Sequence, residues 1–249
     1  MIAHPDTSVF HEPFGEVWYF GEGNSPRYRG SPQYKQVQAS YTSIASGIAE
    51  AIEKEEGPPV VFTKDISYFL TGRINAMTVP PTTRHTFIVR DPAAAIKSLY
   101  SKSCVDNAKT GWSYFDPGEA GFKQQHDIFT YVKDVLQQTP VVVDAADLLR
   151  DPPAVMREYC DAVGMRYTDD MLTWPAGPVA EWGPIEEREP GWHDDAINST
   201  GITQSKNNHG GKSSPADLSH LPREVIMAIE EATPLYEAMR EYRVGKAGS

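Results

Sequence analysis

The run from His85 to Ser101, HTFIVRDPAAAIKSLYS, constrains this chain more than any other. Thr86, Phe87, Ile88 and Val89 are β-branched or aromatic and predict a buried strand. Arg90 closes that strand. Asp91 then suits a helix N-cap, with Pro92 at the first helical position, where a missing N–H costs nothing. Ala93, Ala94, Ala95, Ile96 and Lys97 carry the helix on. Asp91 and Ser98 are about two turns apart at 3.6 residues per turn, so they share one face. A cation at a strand tip, a helix N-terminus and a hydroxyl on one polar edge suit an anion in the crevice of an α/β sheet. An ordinary strand-to-helix turn, with Arg90 paired locally and Ser98 solvated, accounts for the same spacing.

Similar junctions recur along the chain. Val60, Val61, Phe62 and Thr63 form a second strand, with Lys64 and Asp65 at its tip, where parallel sheets collect their chemistry. Val141, Val142 and Val143 form another, ending at Asp144. Val9 and Phe10 end a short run before His11-Glu12-Pro13-Phe14-Gly15, whose Pro and Gly force a turn and leave Glu12 in a loop. Glu12 is either a surface carboxylate or a general base facing a cleft. For Lys64 and Asp65 the alternative to a site is a local ion pair, worth little at a surface.

Helical periodicity links these strands. Val37, Tyr41, Ile44, Ile48 and Ile52 predict an amphipathic helix over about 34–56, closed by Gly57, Pro58 and Pro59. Phe122, Phe129, Val132 and Leu136 predict another helix. A third carries Val155, Met156, Tyr159 and Val163 inward and stops at Gly164. The tail from Arg223 to Tyr242 is helical, with Val225, Ile226 and Ile229 inward and Pro234 as a kink. Trp18, Tyr19, Phe20, Tyr28 and Tyr34, interleaved with Gly and Pro, read as loop residues forming an acceptor pocket or lid, or as aromatic cover. The stretch 103–121, with Trp112, Tyr114 and Phe115, is a second candidate pocket lining, and 174–190 reads as an exposed excursion.

Composition narrows the function classes. The 249 residues are enough for one full core, so a single domain over 1–249 is expected. The net charge of −11, with no basic stripe, argues against nucleic acid. No apolar run approaches the roughly 18–20 residues of a membrane span, and the first residues lack the pattern of a signal peptide. Two cysteines make no disulfide framework, so a reduced, cytoplasmic protein is expected. His193, Asp194 and Asp195 are three adjacent loop residues and do not make a metal site. No metal is expected.

Arg90-x-Pro92 followed six residues later by Ser98, at a strand-to-helix junction, resembles the 3′-phosphate-binding segment of sulfotransferases. In that family the Arg and the Ser grip the 3′-phosphate of PAPS (3′-phosphoadenosine-5′-phosphosulfate). The resemblance therefore implies that Arg90 and Ser98 bind PAPS, or its product PAP. His11-Glu12-Pro13-Phe14 is similar to a segment of the bacterial and fungal branch, where some members use a Glu to deprotonate the acceptor hydroxyl. Lys64 matches a Lys that donates to the bridging oxygen of the breaking bond. Cytosolic members place Lys-x-His there, whereas this chain has Lys64-Asp65-Ile66, so the base falls to Glu12, His11 or Asp65. The Asp147-Leu-Leu, Asp151-Pro and Val163-Gly-Met pattern is also sulfotransferase-like, and structural. Gly191 to Gly201 resembles a segment of fungal sulfotransferase-like proteins in which an Asn-Ser-Thr-Gly turn precedes a basic loop. That implies that Ser199, Thr200, Lys206 and Lys212 close over a nucleotide, against a flexible linker as the alternative.

The resemblance implies a three-layer α/β fold with a mostly parallel central sheet. The family's first strand and phosphosulfate loop normally precede His-Glu-Pro-Phe, yet no G-x-x-x-x-G-K-[ST] or other Gly-rich cradle occurs in this sequence. A sheet lacking that strand has unpaired edges. The expectation is either a piece of a longer product or a rearranged fold in which a homo-oligomer partner covers the gap. Three functions stand open: sulfuryl transfer from PAPS to a small-molecule hydroxyl; a repurposed fold catalysing cyclisation, elimination or isomerisation of a metabolite without PAPS; and a non-catalytic binding protein.

Overall fold

A computed structural model of the chain describes residues 1–2, 4, 6–23, 25–29, 37–53, 60–74, 80, 82–105, 107–179, 182, 191–202 and 218–246. Its described elements run β1 (Thr7–His11), α1 (Gly15–Phe20), α2 (Tyr41–Glu53), β2 (Val60–Lys64), β3 (Thr86–Val89), α3 (Pro92–Tyr100) and α4 (Asn107–Thr110). They continue with α5 (Phe122–Thr130), β4 (Val141–Asp144), α6 (Ala145–Arg150), α7 (Pro152–Val163), α8 (Asp194–Ile197) and α9 (Arg223–Arg240). The class is α/β with parallel pairing, as the strand–turn–helix junctions require.

The four strands pair as two parallel sheets. β1 lies beside β2, with Thr7 opposite Val60 and His11 opposite Lys64. β3 lies beside β4, with Thr86 opposite Val141 and Val89 opposite Asp144. Paired residues share a sheet face, and the β3–β4 pair separates two cores. On one face Phe87, Val89 and Val142 pack with Ile96 of α3, Phe122 and Phe129 of α5, and Val225, Ile229 and Met239 of α9. On the other, Val141 and Val143 pack with Val155, Met156 and Tyr159 of α7. All four residues of β4 are buried, which explains the uninterrupted Val-Val-Val run.

A third core gathers Phe14, Val17, Tyr19, Phe20, Tyr28, Tyr41, Phe69 and Trp112. The aromatic stretch read from sequence as loop is therefore partly helix, α1, and Tyr19 and Phe20 are core side chains rather than a pocket wall. The hydroxyls that aromatic burial brings with it are satisfied: the Tyr19 and Tyr68 hydroxyls lie 2.6 Å apart, and Trp112 Nε1 donates to the Tyr28 hydroxyl at 2.7 Å. Trp112 and Phe115 are likewise buried core side chains, whereas Tyr114 of the same stretch is exposed. Helix α2 is shorter than its periodicity suggests. Residues 37–40 lie outside it, and Ile52 is 38% exposed, while Tyr41, Ile44 and Ile48 do face the core. Pro234 sits inside the continuous helix α9. Tyr34, Gly57, Pro58 and Pro59 lie outside the described residues.

The first turn of α5 ties the two sheets together. Ser67 Oγ, three residues past β2, donates to the Gly121 carbonyl at 3.0 Å. One turn later, Gln125 Nε2 donates to the Ile88 carbonyl in β3 at 2.9 Å. The carboxyl-terminal regions of β2 and β3 thus meet the same helix end. Gly121 makes this possible: it adopts φ 72°, and an added Cβ would meet Ser67 Oγ at 2.9 Å. Gly121→Ala is expected to destabilise the fold by about 1–2 kcal/mol through the left-handed backbone and the clash. Thermal unfolding checks this, with Tm lower by roughly 2–8 °C.

Candidate active site

The candidate site grows from the ends of β1 and β2. Because these strands are parallel and in register, His11 and Lys64 stand side by side at their carboxyl ends. Glu12 leaves the strand with φ 46°, a left-handed conformation uncommon for a non-glycine residue. Two backbone hydrogen bonds hold that turn: Glu12 N–H donates to the Lys64 carbonyl at 2.6 Å, and Gly15 N–H to the Glu12 carbonyl at 3.0 Å. Asp65 braces it from below, accepting from Phe14 N–H at 3.1 Å and from its neighbour Ile66 N–H at 2.9 Å. Strain of this kind persists only where the surroundings over-determine it, as they do here.

The Glu12 side chain is 3% exposed and pairs with the Lys64 ammonium through a direct hydrogen bond. The ion pair considered between Lys64 and Asp65 is thus made between Lys64 and Glu12 instead. Burial pushes the Glu12 carboxyl up, but the Lys64 charge and hydrogen bond outweigh it and hold Glu12 below its ordinary value. Burial outweighs the neighbouring Glu12 charge on His11 and, helped by Lys64 and His193, pushes its imidazole down to about 4, so that it is neutral at pH 7. Asp65 is pushed up to about 7, by burial first and by the Glu12 charge as well, against a smaller opposing pull from Lys64. Its backbone hydrogen bonds oppose that rise, and its oxygens are engaged in them. Asp65 therefore positions the turn.

His193 completes the cluster, and adjacent-residue reasoning missed it. Its side chain meets His11 edge-on at 5.7 Å between ring centroids. Trp182 stacks on His11 at 5.0 Å and packs against His193 at 4.7 Å. No spacing signal links positions 11 and 193; only the fold does.

Arg90 is exposed at the end of β3, and Ser98 is half-buried on α3. Asp91 caps α3 by accepting from Ala94 N–H at 2.9 Å. The helix N-terminus foreseen as part of an anion site is thus occupied by the chain's own carboxylate. Ser199 is engaged locally: its hydroxyl donates to the Ala196 carbonyl at 2.7 Å and accepts from Trp174 Nε1 at 3.0 Å. The Thr200 carbonyl accepts from Trp174 N–H at 3.2 Å. Lys206 and Lys212 lie outside the described residues. A small cleft lined by Trp18, Tyr68, Thr71, Asp116, Glu119 and Gln124 holds none of the candidate catalytic side chains.

A family model described as a sulfotransferase domain matches residues 2–242. The chain belongs to the sulfotransferase family. A "Sulfotransferase ppzF" of Metarhizium majus is 28% identical over 141 residues, covering 50% of this chain and 40% of that protein. "Branched-chain-amino-acid aminotransferase-like protein 1" of Arabidopsis thaliana is 33% identical over 103 residues, 41% of this chain and 16% of that one. The chain therefore spans well under half the length of these curated relatives. A solved sulfotransferase domain from the curacin biosynthetic pathway aligns over 76% of this chain and 68% of its own, at 14% identity and a TM-score of 0.46. No helix among the described residues is long and apolar enough to cross a membrane.

Proposed function

We propose that this sulfotransferase-family chain transfers a sulfuryl group from PAPS to a hydroxyl of a small molecule. The observation that carries the reading is the buried Glu12 carboxylate, held ionised by Lys64 beside the neutral His11. A hydroxyl is a poor nucleophile until its proton is removed, and an ionised carboxylate in a dry site is suited to remove it. Glu12 accepts that proton. Lys64 keeps the carboxylate charged and, with two further donor hydrogens and a side chain 41% exposed, can also donate outward. Asp65 and the Lys64 carbonyl hold the Glu12 turn in place.

The donor's two ends fit the described residues unequally. Exposed Arg90 and half-buried Ser98 suit a 3′-phosphate, since a guanidinium presents a planar fork to phosphate oxygens and a hydroxyl adds one donor. For the phosphosulfate end the described residues supply the Lys64 ammonium and no run of backbone amides. When bound, PAPS supplies the activated sulfuryl group; Arg90 and Ser98 would hold it. Ser199, Thr200, Lys206 and Lys212 are assigned a covering role, with the small-molecule acceptor entering beside Glu12.

The test is thermal denaturation with PAP at millimolar concentration. At a hundredfold excess over Kd, binding to the folded state adds about 2.7 kcal/mol, a Tm rise of roughly 5–10 °C. Arg90→Ala is expected to abolish most of that rise without lowering the Tm of the free protein, because Arg90 is exposed. A wild-type chain indifferent to millimolar PAP overturns the PAPS reading.

A further inference from the structure

We propose that His11, Glu12 and His193 form a binding site for a zinc-like divalent cation, in competition with the Lys64 ammonium. Their ligand atoms all lie within 4.8 Å of one another. His11 Nε2 is buried with no hydrogen-bond partner among the described residues, and it stands 3.8 Å from Glu12 Oε1. A buried ring nitrogen left without a partner is costly, and a metal ion is a partner that satisfies it. Two imidazoles and one carboxylate match the three-ligand set of open zinc sites, in which a fourth position stays free for water or another ligand.

The geometry needs little adjustment. Zinc bonds of about 2.0–2.2 Å place tetrahedral ligand atoms about 3.3–3.5 Å apart, so the three groups close by on the order of 1 Å. Trp182 holds both rings at this spacing, stacking on His11 and packing against His193. The electrostatics supply the competition. Glu12 Oε1 now faces the Lys64 ammonium, and an ion bound to that oxygen displaces it. The Lys64 side chain is 41% exposed, so the ammonium can swing into water and keep its hydration. The bound ion takes the electron pair of Glu12. Given the base role proposed above, it inhibits turnover; the site itself does not depend on that role.

The experiment titrates the metal-free full chain with zinc chloride against a chromophoric chelator, without donor or acceptor, and repeats it with cobalt(II) to read coordination from visible absorption. One equivalent is expected to bind, with the intense cobalt spectrum of a tetrahedral site. His11→Gln and His193→Gln each weaken binding at least tenfold. Lys64→Met strengthens it at least tenfold, a gain that misfolding cannot mimic. Absence of stoichiometric binding in both the wild type and Lys64→Met overturns the proposal, as does binding that His193→Gln leaves unchanged. A chain that binds zinc but ignores PAP overturns the sulfuryl-transfer reading alone.

Discussion

Glu12→Gln is expected to lower turnover by about 10²–10⁴-fold, the usual contribution of a positioned general base, while the PAP-induced rise in Tm survives. Gln keeps the shape of Glu and fills the same volume, but its amide cannot take a proton at neutral pH. The readout is PAP release from PAPS in the presence of a panel of alcohols and phenols, run beside the thermal shift. The stability cost is contained because Lys64, left without its partner, is 41% exposed and finds water. Activity and folding are thereby separated. Retained turnover in Glu12→Gln removes the base from Glu12 and returns it to His11, whose imidazole is neutral at pH 7 and stands beside it.

Asp144→Ala carries the largest expected loss of stability. Asp144 is fully buried at the end of β4, where it does three things at once. It caps α6 by accepting from Ala146 N–H at 2.8 Å; it accepts from the Tyr236 hydroxyl at 2.7 Å; and it accepts from Arg240 Nε at 2.8 Å. The last two tie β4 to α9. Truncation removes the cap, worth about 1 kcal/mol, and leaves the buried Tyr236 hydroxyl unsatisfied, about 1–3 kcal/mol. The Arg240 contribution is smaller because its side chain is 38% exposed. A total of about 3 kcal/mol at pH 7 is expected, read from urea denaturation midpoints.

The same variant has a pH signature. Burial pushes the Asp144 carboxyl up, but the hydrogen bonds from Tyr236 and Ala146 and the Arg240 guanidinium bring it below its ordinary value. A carboxyl lowered in the folded state stabilises it above the unfolded value and loses that contribution as pH falls through the folded one. The gap between wild type and Asp144→Ala therefore narrows below about pH 4. A gap that widens on acidification contradicts this account.

Local chemistry made much of this protein legible in its sequence. The Arg90-Asp91-Pro92 junction specifies a strand end, a cap and a helix start within three residues, because each residue type has one favourable backbone role there. Gly164 ends α7 in the left-handed conformation that glycine tolerates, and the Val141–Val143 run is apolar throughout because both faces of β4 are covered. Glu12, Lys64 and Asp65 were recognisable as strand-tip polar residues. What each does was not, because ion pairing depends on distance. Strand register put Lys64 against Glu12, and a backbone turn put Asp65 against Phe14. The aromatic residues from Trp18 to Tyr28 carried no periodicity to distinguish pocket from core, and packing made Tyr19, Phe20 and Tyr28 core while Trp18 stays at its edge. His193 reached His11 only because the chain folds back across the site. Sequence by itself determined the strand–turn–helix units and the polar residues at their ends, since those follow from propensity and capping within a few residues. The tertiary structure alone decided which of those ends meet and which carboxylate is ionised, since burial and the nearest charge are properties of neighbours distant along the chain.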